Sequence, residues 1–172
     1  MKYREVYKYT LTLCVIALIT FFGVEINKKY INQVENNIGI YNLPKFNLKM
    51  SKSKYWESLA INDTFQSIFI YFNPNCEHCH YQLKYAKEVV KEKDVHIIFV
   101  ANVLVEELKK FVTTNDMQDE KNIIFLSDEE NNFSKIFHTN VFPSIFIYGK
   151  DKKLKKRFNG ETKAEAILKY LE

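Results

Sequence analysis

The chain is poor in the residues that break or staple a fold. Its 172 residues include four glycines, three prolines and three cysteines. So little glycine and proline excludes a collagen-like repeat and a low-complexity linker. Three cysteines are too few for a disulfide-built scaffold. A surplus of either charge is also missing. The 25 Lys and Arg set against 21 Asp and Glu leave a formal net charge of +4, too small and too evenly spread to suggest a nucleic-acid partner. No internal repeat is evident. The chain is rich in aromatics, with 14 Phe and 11 Tyr, which favour strands and a bulky core. Hydrophobic residues make up 47% and charged residues 27%, a composition that excludes both a disordered polymer and a multi-span membrane protein. The length allows one ordinary domain plus a tail or anchor.

No charged residue occurs from Tyr9 to Val24, a run slightly short of the roughly 17–25 residues of a spanning helix. Tyr7 and the stem of Lys8 extend it at a membrane interface. Lys2, Arg4 and Lys8 precede it, opposed by Glu5 alone, so a basic leader runs into an apolar segment. Gly23 is small enough to stand before a cleavage site, but Phe21 then occupies the other position that wants a small residue. Residues 1–25 therefore read as an uncleaved signal anchor, with a cleaved signal as the competing reading. The positive-inside rule turns the rest of the chain outward. That predicts a single-pass protein of the inner membrane facing an oxidising periplasm, or a periplasmic protein if the signal is cut. Residues 26–43 read as a polar spacer, with a helix near the membrane as one form it can take, and 44–172 as the domain.

Within the domain, Phe46, Leu48 and Met50 alternate with polar residues as in a half-buried strand. Tyr55–Leu59 suggests a short helix or turn. Ser67–Phe72, Val95–Ala101, Asn122–Leu126 and Ser144–Tyr148 are apolar runs of strand length. Leu154–Phe158 forms a hairpin with the last of these across Gly149–Asp151. Helices are predicted over Cys76–Lys93, Val103–Thr113, Asp128–His138 and Thr162–Leu171, the last with Thr162 as N-cap and Glu165 in a capping box. Alternating strands and helices mean an α/β fold, and the closing hairpin makes its sheet mixed. The basic hairpin Lys150–Arg157 reads as a solvated edge and Trp56 as a core or groove aromatic.

The chemistry concentrates in SIFIYFNPNCEHCHYQL. A buried strand runs through a short loop into a helix, with Cys76 at the helix start. Unpaired backbone N–H groups and the positive end of the helix dipole stabilise a thiolate there. Cys79 follows one turn later, within disulfide reach. This pairs an exposed nucleophilic sulfur with a shielded resolving one, as thiol–disulfide exchange requires. Between them, protonated His78 would favour the thiolate while Glu77 opposes it. The two act in opposite directions on the redox balance and partly cancel.

From Pro44 to Glu172 the chain resembles the thioredoxin-fold thiol–disulfide oxidoreductases, in particular their membrane-anchored TlpA-like branch. Pro44-Lys45-Phe46-Asn47-Leu48 resembles that branch's P-x-F-x-L opening, and Cys76-Glu77-His78-Cys79 its redox motif. Val141-Phe142-Pro143-Ser144 resembles the segment with the cis-proline that faces the cysteines, and Gly160 matches a glycine common after the last strand. The resemblance implies a thioredoxin-like mixed sheet flanked by helices, with one extra strand–helix unit between the redox pair and the proline. It implies Cys76 and Cys79 as catalytic residues, with Phe142 and Pro143 presenting backbone to substrate. The implied partners are cysteine-containing proteins and a redox partner that resets the disulfide. No cofactor is implied. The chain departs from the pattern at Asn75, where tryptophan is usual, at His78, where many members have proline, and at Ile70, where thioredoxin has a buried acid.

Two competing readings remain. Cys76-Glu77-His78-Cys79-His80 also fits the C-x-x-C-H motif of c-type haem attachment, and a histidine such as His138 could join the cysteines around a metal. A thiol peroxidase would share the extra unit, but lacks the second cysteine three residues on.

Overall fold

The computed structural model describes residues 2–50, 55–58, 61 and 64–172. The chain divides into two compact units, one up to Ile38 and the other Gly39–Glu172. The first is one long helix, α1 (Lys2–Gly39). Its described apolar side chains are exposed, from Leu13 to Ile26. Among the described residues, no helix is long and apolar enough to cross a membrane. Most of the segment expected to be a polar spacer is thus helical, and its last residues belong to the second unit. Ile40 is fully buried, its carbonyl accepts the Tyr148 hydroxyl at 2.8 Å, and Asn42 bridges to Lys153.

The second unit is built on β1 (Asn47–Met50), β2 (Tyr55–Glu57), β3 (Gln66–Phe72), β4 (Val95–Ala101), β5 (Ile123–Ser127), β6 (Ser144–Tyr148) and β7 (Leu154–Asn159). They form one seven-stranded sheet in the order β2-β1-β5-β4-β3-β6-β7. β3, β4 and β5 are parallel, and the remaining pairings are antiparallel. The helices are α2 (Glu77–Glu92), α3 (Val105–Thr114), α4 (Asn132–Ile136) and α5 (Ala164–Leu168). The extra unit expected between the cysteines and the proline is present, because α2, β4, α3, β5 and α4 all intervene before β6.

The pleat of β3 divides the core. Ile68, Ile70 and Phe72 point to one face, where Leu83 and Ala86 of α2, Leu108 of α3 and Ile167 of α5 cover them. Phe69 and Tyr71 point to the other, into an aromatic cluster with Phe46, Phe133, Phe137 and Phe146. There the Phe133 and Phe137 rings stack at 3.9 Å, and Phe46 meets both edge-on at 5.6 Å. Five of the 14 phenylalanines lie in this cluster, where offset and edge contacts add to area burial.

Three expectations are corrected. Residues 55–57 form a strand, not a helix or turn, because Trp56 pairs opposite Leu48 of β1; Leu59 lies outside the described residues. The helix expected from Asp128 to His138 covers only Asn132–Ile136. Asp128 stays outside it and caps from below, its buried carboxylate accepting the Asn132 and Phe133 N–H groups at 2.7 and 2.9 Å. The last helix starts at Ala164, with Lys163 as N-cap and no side-chain cap. Thr162 is committed elsewhere, its hydroxyl donating to the Gly160 carbonyl at 3.1 Å.

Replacing the fully buried Phe133 with alanine should cost roughly 3–5 kcal/mol of stability. Denaturant titration of Phe133→Ala should show the midpoint shift at unchanged slope; a loss below about 1 kcal/mol would mean the cluster relaxes around the void.

Candidate active site

β3 ends at Phe72, and a tight loop brings the chain to Cys76. The Asn73 side-chain oxygen accepts the Asn75 N–H at 2.8 Å, a local turn of the kind asparagine favours. The Asn73 carbonyl accepts the Cys76 N–H at 3.1 Å. Cys76 is the N-cap of α2, in extended conformation. Its own carbonyl starts the helix by accepting the Cys79 and His80 N–H groups at 3.0 and 3.3 Å. Both cysteines are free thiols.

The two sulfurs occupy different surroundings. Cys76 is partly exposed, and its Sγ lies 3.9 Å from the Phe142 carbonyl oxygen. Cys79 is only 1% exposed and packs among the residues between α2 and the sheet, Ile70 included. Burial is the main reason the Cys79 thiol is pushed up to about 12. The Asn73 N–H opposes that rise, and the adjacent Cys76 sulfur reinforces it. Cys76 is therefore the sulfur open to attack, and Cys79 is held protonated behind it.

The opposing wall is the turn into β6. Phe142–Pro143 is a cis peptide bond, as expected for a sharp turn into a strand. Ser144 fastens this turn, its hydroxyl donating to the Val141 carbonyl at 2.8 Å and sharing a 2.7 Å bond with Thr139. The Pro143 carbonyl accepts the Gly160 N–H at 2.7 Å. Gly160 has φ +100°, a backbone conformation that glycine adopts without strain.

His78 and Glu77 are both exposed in the first turn of α2. The His78 ring reaches away along the surface, with Nδ1 2.8 Å from Glu161 Oε2. Desolvation first and the nearby Glu161 carboxylate second push the Tyr85 hydroxyl up, and between His78 and Tyr85 the buried Gln82 accepts the Thr162 N–H at 2.8 Å. Residues 78, 82 and 85 thus form a polar stripe on α2 that grips the loop after β7. Glu161 and Gln82 were not anticipated from sequence; the helical spacing of these three polar positions was the available signal. His80 turns to the Pro74 carbonyl at 2.9 Å. Among the described residues, no three His, Cys, Asp or Glu side chains are grouped to hold a metal ion.

A family model described as Redoxin matches residues 43–171. The chain belongs to the Redoxin family. No curated protein matches the chain in a sequence comparison. Among solved structures, the exposed lipoprotein thioredoxin of Streptococcus pneumoniae is 20% identical with a TM-score of 0.61, over 73% of this chain and 96% of that one. A secreted disulfide oxidoreductase of Mycobacterium tuberculosis is 15% identical with a TM-score of 0.61, over 73% and 92%. A thiol peroxidase from Chromobacterium violaceum is 12% identical with a TM-score of 0.62, over 74% and 82%. These likenesses show the fold: this redoxin has a thioredoxin-like mixed sheet flanked by helices. Family and site together support oxidoreductase chemistry.

When the reduced redoxin is treated with iodoacetamide at pH 8, Cys76 should be modified while Cys79 is spared. Peptide mass mapping checks this. Labelling of Cys79 as fast as Cys76 would contradict both its burial and its raised proton affinity.

Proposed function

We propose that this redoxin is a thiol–disulfide oxidoreductase of the TlpA-like kind, exchanging disulfides with cysteine-containing proteins through Cys76 and Cys79. The observation that carries the reading is the asymmetry of the pair. One sulfur sits at a helix N-terminus open to solvent, and its partner one turn on is 1% exposed. In the reducing direction, the Cys76 thiolate attacks one sulfur of a substrate disulfide, and the other substrate sulfur leaves as a thiolate. Cys79 then attacks the Cys76 sulfur of the mixed disulfide and releases the second substrate thiolate. Two electrons and two protons pass from the pair to the substrate, the Cys79 proton balancing the second thiolate released. A redox partner resets the pair by the same steps in reverse. The Val141–Phe142 backbone beside Cys76 gives an extended substrate segment a place to pair.

Loss of the second nucleophile should strand the intermediate. Cys79→Ala should accumulate mixed disulfides through Cys76, visible as thiol-sensitive adducts on non-reducing gels, and Cys76→Ser should abolish exchange with the fold intact. Full activity in Cys76→Ser would remove the assignment. Peroxide consumption outpacing disulfide exchange would favour a thiol peroxidase instead.

The first unit also supports a reading of the compartment. The uncharged run Tyr9–Val24 and its basic leader support an inner-membrane anchor with the redox domain in the periplasm. The protein should remain with membranes in high salt and be released by detergent, since apolar insertion is not screened. A soluble mature chain beginning near Glu25 would show a cleaved signal.

A further inference from the structure

The topology gathers one rim of the sheet around Cys76. β3, β4 and β5 are parallel, so their C-terminal ends share this rim. β6 starts there, with Ser144 opposite Tyr71, and β7 ends there, with Asn159 opposite Ser144. The loops that follow or precede these ends, and the first turns of α2 and α3, make one surface.

Two features of this surface are not explained by stability of the fold. The first is its charge. In a chain of net charge +4, Glu77, Glu106, Glu107 and Glu130 are all exposed on this rim. Glu129 and Glu161 add to them, although they are tied to Lys49 and His78 at 3.3 and 2.8 Å. Lys163 at the start of α5, Lys135, whose ammonium donates to the Glu130 carbonyl at 3.0 Å, and Lys109 and Lys110 one turn along α3 stand against them. Helix dipoles favour acids in first turns, which accounts for single positions but not for acids drawn from four separate segments gathering near one sulfur of a basic chain. The second feature is apolar. Leu104 is the N-cap of α3, a position where its side chain cannot cap and where Ser, Thr, Asp or Asn is preferred. It is 61% exposed. Val141, immediately before the Phe142 carbonyl that meets Cys76, is 42% exposed. The neighbouring Val103 and Phe142 pack, with Cys76, against the same core.

We propose that this rim selects protein segments in which the cysteine is accompanied by an apolar residue and by lysine or arginine. The inference rests on the thiol–disulfide reading above and narrows its substrate class. The apolar neighbour would cover Leu104 and Val141 and remove them from water. The basic residues would meet the glutamates, which raises the encounter rate and orients the approaching segment. Anionic segments would be repelled before their sulfur reaches Cys76.

The test uses two short peptides, each with two cysteines closed in a disulfide and a leucine beside them, differing only in lysine or glutamate flanks. Each is mixed with the reduced protein, quenched in acid, and the peptide dithiol is quantified. The step transfers two electrons and two protons from Cys76 and Cys79 to the peptide disulfide. At low ionic strength the lysine peptide should be reduced roughly tenfold faster, and the ratio should fall below about threefold near 1 M salt. The double variant Glu106→Lys/Glu107→Lys should lower the low-salt ratio by at least about threefold. A low-salt ratio under roughly threefold, or one that the double variant leaves in place, overturns the assignment while exchange itself stands. Reduction of neither peptide disulfide by the dithiol form, together with oxidation of neither peptide dithiol by the disulfide form, removes the underlying exchange reading, and this one with it.

Discussion

The arrangement depends on β3 being buried along its whole length, from Gln66 to Phe72. A strand enclosed on both faces has one tolerated register, because a slip of one residue would exchange its two sets of side chains. Ile68, Ile70 and Phe72 would then meet the aromatic cluster, and Phe69 and Tyr71 the helices. Its neighbours are held to the same register, β4 in parallel and β6 in antiparallel. The consequence reaches the chemistry directly. The end of β3 decides where Cys76 emerges, and the start of β6 decides where the Phe142 carbonyl waits for it. Apolar packing sets the meeting of two reactive loops that are distant in sequence.

The strands β3, β4 and β6 were legible because their runs are long, apolar and β-branched or aromatic, so local pattern and tertiary burial agree. Cys76 and Cys79 were legible for a similar reason: a strand, a short loop and a helix start are all readable within one stretch. Tyr55–Glu57 was not, since a three-residue strand at the sheet's edge takes its conformation from β1 and has little pattern of its own. Asp128 was placed inside a helix that it caps from outside, because an acid in either position looks the same in sequence. Residues 40–43 were read as spacer, yet their hydrogen bonds run to the hairpin near residue 153, more than a hundred positions away. The grip of His78 and Gln82 on residues 161 and 162 is likewise a long-range pairing.

The site separates its two sulfurs by solvent access instead of by distance along the chain. One helical turn takes Cys79 from the rim to the core, where it shares the space of Ile70 and Leu83. A carboxylate at position 70 would bring a buried charge against that thiol; an isoleucine leaves the surroundings apolar and the proton firmly held. The second sulfur is accordingly kept as a neutral thiol behind the first.

The contact between Cys76 and Phe142 depends on the sulfur's proton. A thiol can donate to the Phe142 carbonyl, and the 3.9 Å approach is that of a weak sulfur hydrogen bond. A thiolate has no hydrogen to donate, and its lone pairs face those of the carbonyl oxygen. Ionisation thus turns an attraction into a repulsion at the same atom pair.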